Sequence, residues 1–92
     1  MEVLLKLLPI DGRKSFYGKG KARIVNDTEI ECISYNTVVC KYDVDSELFT
    51  RLWNNYSATT MRHIQSFCSF HGLPLLNKAD WCSLPIGQAV QL

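Results

Sequence analysis

Alternating apolar and polar residues in the first half of the chain predict short β-strands. One strand is expected at the start of the chain and a second from about Lys19 to Val25. Residues 30–34 alternate in the same way, and residues 38–42 resume the pattern after Tyr35-Asn36, which predicts a hairpin. Residues 47–53 fit a strand or a helix, and we favour a strand because Asn54-Asn55 ends the run abruptly.

The second half of the chain has a helical pattern. Ser57 is a suitable N-cap and Gly72 a suitable C-terminal residue for a helix over 57–71. Its expected buried stripe consists of Met61, Ile64, Cys68 and His71. Asn77 is expected to cap a shorter helix over 78–84, which Pro85 ends.

This order of elements predicts an α+β fold in a single domain, residues 1–92. We expect a small antiparallel sheet of four or five strands, within about residues 2–53, with the two C-terminal helices packed on one face. The tail, residues 85–92, has no charged residue, so it either stays loose or adds an edge strand.

Composition supports a folded domain rather than a disordered one. Hydrophobic residues make up 47% of the 92 residues and charged residues 21%. No apolar run approaches the ~18 residues of a membrane-spanning helix, and the first residues lack the features of a targeting segment. We therefore expect a cytoplasmic protein without a membrane partner.

The four cysteines, Cys32, Cys40, Cys68 and Cys82, fit no compact disulfide framework. Three lie in apolar or helical patterns, where reduced cysteine packs as a small hydrophobic residue. A zinc site built from His63, Cys68, His71 and Cys82 is conceivable, but the usual paired ligand spacing is missing. We expect neither a metal nor a cofactor.

The net charge of +1 conceals two segments of opposite sign. Residues 12–26 contain five basic residues and no acid, whereas residues 27–47 contain six acids and one lysine. The basic residues are Arg13, Lys14, Lys19, Lys21 and Arg23. The last three would share one face of a strand, beside Phe16 and Tyr17, and such a ribbon could bind phosphates and stack bases. Alternatively, the two segments pair with each other across a solvent-facing sheet.

The start of the longer helix is a second candidate site. Helical geometry predicts that Thr59, Arg62, His63 and Ser66 face away from the apolar stripe. Together with the free amides of a helix N-terminus, they would suit a phosphate or a DNA backbone. The alternative is that Ser57 is an ordinary cap and that these residues are solvated. Phe70 falls on the same outward face.

Catalytic motifs are missing from the sequence. No nucleophile motif surrounds a cysteine, and Gly18-Lys19-Gly20-Lys21 lacks the first glycine and the hydroxyl residue of a phosphate loop. The carboxylates lack the apolar neighbours that would raise a pKa. We therefore expect that the protein is not an enzyme.

Three motifs resemble a family of small uncharacterised proteins, a domain of unknown function found in gut bacteria, their phages and mobile elements. The motifs are RKSFYGK from Arg13, SYNT from Ser34, and YSATT-x-RHI from Tyr56. The resemblance implies no activity, cofactor or catalytic residue. The mobile-element setting of the family suggests two roles: binding nucleic acid, or binding a host protein to redirect or block it.

We thus expect a non-catalytic binding protein. The leading hypothesis is DNA or RNA binding through Arg13, Lys14, Lys19, Lys21, Arg23, Thr59, Arg62 and His63. The alternative is a protein-interaction module or homodimer that binds a host protein, for example one belonging to a defence system.

Overall fold

Six antiparallel strands and two helices form the part of the chain that the structure, a computed structural model, describes: residues 3–10, 16 and 18–92. In chain order these elements are β1 (Val3–Lys6), β2 (Gly20–Ile24), β3 (Glu29–Ser34), β4 (Thr37–Asp43), β5 (Leu48–Arg51), α1 (Ala58–Phe70), α2 (Lys78–Ser83) and β6 (Ala89–Val90). Neighbours in the sheet are neighbours in the chain, so β1 lies at one edge and β6 at the other.

The α+β class, the antiparallel sheet and the two helices are confirmed. The described residues form six strands rather than four or five, because the tail forms β6, where Ala89 and Val90 pair with β5. Residues 47–53 contain the expected strand, and 57–71 and 78–84 contain the expected helices. Neither helix in the described part of the chain is long and apolar enough to cross a membrane.

Local side-chain hydrogen bonds close the strand connections. The Asn26 side chain accepts hydrogen bonds from the backbone amides of Thr28 and Glu29 at 3.0 and 2.9 Å. The Asp43 carboxylate likewise accepts from the Asp45 and Ser46 amides. These bonds, led by that from Ser46, hold the pKa of Asp43 below its usual value.

Each helix begins at the residue that its sequence predicts. The Ser57 hydroxyl accepts a hydrogen bond from the Thr60 amide, and Gly72 follows the C-cap of α1 with φ 69°. Asn77 and Asp80 form a reciprocal capping box at the start of α2.

A buried arginine joins α2 to the sheet. The Arg51 guanidinium donates to three backbone carbonyls, those of Trp53, Asn55 and Leu84, at 3.0–3.3 Å. It also lies 4.7 Å from the ring centroid of Trp81, whose indole N–H donates to Asn55. The positive charge is thus solvated by carbonyl dipoles in place of water.

The core lies between α1 and one face of the sheet. Ala22, Cys32 and Cys40 are cross-strand neighbours with no exposed surface. From α1, the buried residues Met61, Ile64, Phe67 and Cys68 pack in the same core cluster. Because side chains alternate along a strand, Lys21, Arg23, Glu31 and Lys41 lie on the opposite face, which we call the open face.

Candidate nucleic-acid interface

Opposite charges pair across one part of the open face. Arg23 lies opposite Glu31 in the register of β2 and β3, and its Nε donates to the Glu31 carboxylate at 2.8 Å. Lys41 lies opposite Glu31 on the other side and forms an ion pair with Glu29 at 2.7 Å. We call these four residues, Arg23, Glu29, Glu31 and Lys41, the paired half.

Lysines cluster at the other end of the same face. Lys6 on β1 lies directly opposite Lys21 on β2, and the third neighbour in this row is the apolar Ile33. The ladder continues to Lys19, whose carbonyl accepts a hydrogen bond from the Tyr35 amide at 2.7 Å, so Lys19 shares the face of Lys21. We call Lys6, Lys19 and Lys21 the lysine end.

The lysine end has no partner of opposite sign within the described residues. No carboxylate in this part of the chain forms an ion pair with any of the three lysines. Cβ atoms of directly opposite residues lie ~4.5–5.5 Å apart, and like charges in that position destabilise a sheet. A cavity of about 280 Å³ adjoins the cluster and is lined by Leu4, Leu5, Lys6, Gly18 and Lys21. The arrangement is therefore suited to an external anion.

The predicted helix residues lie on the other side of the sheet from Lys21. Thr59 is exposed in the first turn of α1, and the Arg62 guanidinium lies 5.3 Å from the Phe16 ring centroid. His63, however, is buried, with 1% of its surface exposed. The predicted ribbon and the predicted helix face therefore do not form one surface around Lys21.

His63 belongs to a buried cluster in which the three sequence motifs meet. We call Phe16, Gly20, Ser34, Thr60 and His63 the motif junction. Hydrogen bonds join the Ser34 hydroxyl to His63 Nδ1 at 2.8 Å and to the Thr60 hydroxyl at 2.9 Å. Phe16 packs edge-on against the His63 ring, with centroids 4.4 Å apart.

The expectation that His63 and Ser66 face outward is wrong, and long-range contacts explain the error. A Cβ on Gly20 would lie 3.0 Å from atoms of the His63 ring, so the missing side chain of Gly20 makes room for that ring. The Ser66 hydroxyl donates to the Leu8 carbonyl at 2.5 Å. The buried face of α1 is therefore wider than its apolar stripe.

The hydrogen bond between Ser34 and His63 joins a hydroxyl to an imidazole, the groups of a nucleophile and its general base. Both residues are buried, so a substrate has no access to them in this structure. Burial, and to a lesser degree the positive charge of Arg62, lowers the pKa of His63. The neutral imidazole and the two hydroxyls therefore connect the β3–β4 hairpin to α1.

Three of the four thiols, those of Cys32, Cys40 and Cys68, are also buried, whereas Cys82 is exposed. Cys32 and Cys40 are cross-strand partners, and burial raises the pKa of Cys68 to about 12. Burial also lowers the pKa of His71, whose ring contacts Tyr42 and Phe67. The described residues include no group of three or more His, Cys, Asp or Glu side chains that could hold a metal ion.

A family model described as "Family of unknown function (DUF8033)" matches residues 5–83. The chain belongs to the DUF8033 family. This confirms the resemblance at the level of a family of unknown function. Searches of the curated proteins and of the solved structures returned no match.

Sequence reasoning missed one residue of the lysine end in this DUF8033 chain. Lys6 interrupts an apolar strand, and only the β1–β2 register places it opposite Lys21. Its one sequence signal was a cation at a position that alternates with leucines. Arg13 and Lys14, also predicted site residues, lie outside the described residues.

Proposed function

We propose that the protein is a non-catalytic nucleic-acid-binding protein that holds phosphates at the lysine end of the open face. The single observation that carries this proposal is the pair formed by Lys6 and Lys21, which lie directly opposite each other and have no carboxylate partner among the described residues. Elsewhere on the same face, Arg23 and Lys41 do have carboxylate partners.

Electrostatics favour a polyanion at this position. A phosphate beside Lys6 and Lys21 would replace their repulsion with two attractions, and release of counterions from the nucleic acid would add to the binding free energy. Lys19 extends the cluster along β2 by two residues, about 7 Å at the rise of a strand. Arg13 and Lys14 precede it in the sequence.

This mode of binding is expected to be insensitive to base sequence. Lysine is a point charge that contacts phosphate oxygens, and such contacts carry no sequence information. Three lysines predict a slope of log affinity against log salt of roughly −2 to −3. Arg23 is left out of the proposed contacts because Glu31 holds it, and His63 because it is buried.

The test is a fluorescence-anisotropy titration of single-stranded DNA, single-stranded RNA and duplex DNA at 50 and 200 mM salt. We expect dissociation constants of about 10⁻⁴ to 10⁻⁶ M at the lower salt concentration. The double variant Lys6→Gln/Lys21→Gln should bind at least about tenfold more weakly.

The matched control is Lys41→Gln/Lys78→Gln, which removes the same charge from the paired half and from α2, where Lys78 lies over the Tyr56 ring. It should retain most of the affinity. Equal losses in the two double variants would contradict the proposal, as would wild-type binding weaker than about 10⁻⁴ M at 50 mM salt.

A second function, binding of another protein, is favoured by a different observation. Apolar side chains that include Leu4, Leu8 and Phe70 are exposed around β1. Singly exposed apolar residues are common, but a group around one sheet edge indicates an interaction site.

A further inference from the structure

The edge of β1 offers backbone groups for another strand. The Leu7 amide donates to the Gly20 carbonyl on β2 at 3.0 Å, and alternation directs the backbone groups of Val3 and Leu5 the same way. The amides and carbonyls of Leu4 and Lys6 therefore point away from β2, toward an edge that carries no further strand among the described residues and that we call the free edge. Beyond β1, the Leu8 carbonyl already accepts a hydrogen bond from the Ser66 hydroxyl. The backbone groups available to another strand are therefore those of Leu4 and Lys6.

An apolar groove runs beside this edge. It has a volume of about 300 Å³ and lies between the β1 segment and the flank of α1. Its lining includes the apolar side chains of Leu5, Leu8, Ile10 and Phe70. Leu8 is 61% exposed and Phe70 58% exposed. The groove can thus accept apolar side chains from a strand that lies along β1.

The opposite edge of the sheet is a poor alternative. β6 consists of two residues, Ala89 and Val90, and a strand this short offers few hydrogen-bonding groups. Ala89 also borders a cavity beside the carboxylates of Glu29 and Asp43. The two edges therefore differ in length, in apolar surface and in charge.

The positive charge of Lys6 and Lys21 indicates which side chains an added strand should carry next to β1. On the open-face side of this edge, Lys6 is exposed and faces Lys21, with no described carboxylate paired to either lysine. A strand added beside β1 would place alternate side chains next to Lys6, where a carboxylate is complementary. Its remaining side chains would lie on the face of the groove, where apolar groups are complementary.

We propose that the free edge of β1 binds an extended segment of a partner protein in which acidic and large apolar residues alternate. The segment adds a strand to the sheet through the backbone of Leu4 and Lys6, places a carboxylate beside Lys6, and inserts its apolar side chains next to Leu8 and Phe70. This inference does not rest on the proposed binding of nucleic acid.

The probe is a capped nonapeptide that alternates glutamate with leucine, titrated at concentrations up to about 1 mM, the weak end of specific binding. Amide hydrogen exchange followed by NMR should show new protection at Leu4 and Lys6. Leu4→Pro removes one of these amides without removing a hydrogen bond to β2, so it should abolish binding and leave the fold intact. Phe70→Ala, at an exposed position, should weaken binding severalfold.

A charge exchange gives the sharpest control. Lys6→Glu should weaken binding of the acidic peptide by about two- to fivefold, the scale of one exposed ion pair. The same variant should bind the lysine–leucine version of the peptide better than wild type does. A merely unfolded variant could not show this reversal.

Several results would overturn the inference. These are absence of binding at 1 mM, protection at β6 instead of β1, and unchanged affinity in Leu4→Pro or Phe70→Ala. A dimer that forms without peptide and is broken by Leu4→Pro would also overturn it, because a second copy would then occupy the edge. Phe70→Ala should leave oligonucleotide affinity unchanged, so failure of this inference and failure of the proposed function are distinguishable.

Discussion

The two parts of the open face contain the same kinds of cation in different surroundings. In the paired half, the register places Arg23 opposite Glu31, and Lys41 finds Glu29. At the lysine end, the same sheet places Lys21 between Lys6 and Ile33. Cross-strand partners, rather than the number of cations, therefore decide whether a charge is satisfied within the fold or is available to a ligand.

The largest expected effect on stability comes from a substitution in the motif junction, which lies on the other side of the sheet from the lysine end. Ser34→Ala would leave His63 Nδ1 without its hydrogen-bond partner in the motif junction and should lower the free energy of unfolding by about 1–3 kcal/mol. Urea denaturation measures this loss.

The matched control for Ser34→Ala is Ser69→Ala, at an exposed position on α1, which should change stability by less than about 0.5 kcal/mol. Oligonucleotide affinity of the folded Ser34→Ala protein should stay close to wild type. A large loss of affinity would mean that the lysine end depends on the motif junction.

A charge reversal in the paired half should make it resemble the lysine end. Glu31→Lys removes a carboxylate that Arg23 contacts and places three cations in a row, those of Arg23, the introduced lysine and Lys41, so we expect a loss of about 1–2 kcal/mol of stability. Oligonucleotide affinity should rise at the same time, with a steeper salt dependence.

Asp45→Lys is the control for Glu31→Lys, because it makes the same change of charge at an exposed turn. An equal gain of affinity in both variants would show that net charge, rather than position on the open face, controls binding.

Single neutralisations should produce small effects of opposite sign in the two regions. Lys21→Gln removes a repulsion with Lys6 and should stabilise the fold by about 0.2–0.5 kcal/mol, whereas Lys41→Gln should destabilise it by a similar amount. Added salt should reduce both effects. If both substitutions changed stability in the same direction, the paired half and the lysine end would not differ in how their lysines are partnered.

The pH dependence of stability tests the burial of His63 and His71, on the core side of the sheet. The pKa values of His63 and His71 are lowered by burial, so near pH 6.5 the unfolded chain takes up protons that the folded chain does not. The free energy of unfolding should be highest above pH 6.5, and it should fall as the pH drops toward the lowered pKa values of the two histidines in the folded state. Denaturation at several pH values between 8 and 5 measures the slope, which His71→Gln should reduce. A flat profile would contradict the assigned burial.

Local patterns in the sequence predicted the elements well. Alternation located the inner strands, and the caps Ser57 and Asn77 located both helices, because these signals lie within a few residues of the structures that they specify. The two residues of β6 are too few to show a periodic pattern, so the sequence allows either a loose tail or an edge strand there.

Properties that depend on distant contacts could not be predicted. The burial of His63 requires Gly20 and Ser34 from other strands, and the role of Lys6 requires the β1–β2 register. The sequence allows pairing between the basic and acidic segments as an alternative to ligand binding. The structure shows it for Arg23 but not for Lys21.

The reactivity of the buried cysteines would report how fast the core between the sheet and α1 opens. Cys32 and Cys40 lie side by side on its central strands, Cys68 lies above them on α1, and Cys82 is exposed. Burial raises the pKa of Cys40 and Cys68, which suppresses the reactive thiolate. An alkylating reagent should therefore label one thiol at once and the other three only as fast as the central hairpin separates from the helix. Counting labels by mass would measure the rate of that separation without a substitution in the chain.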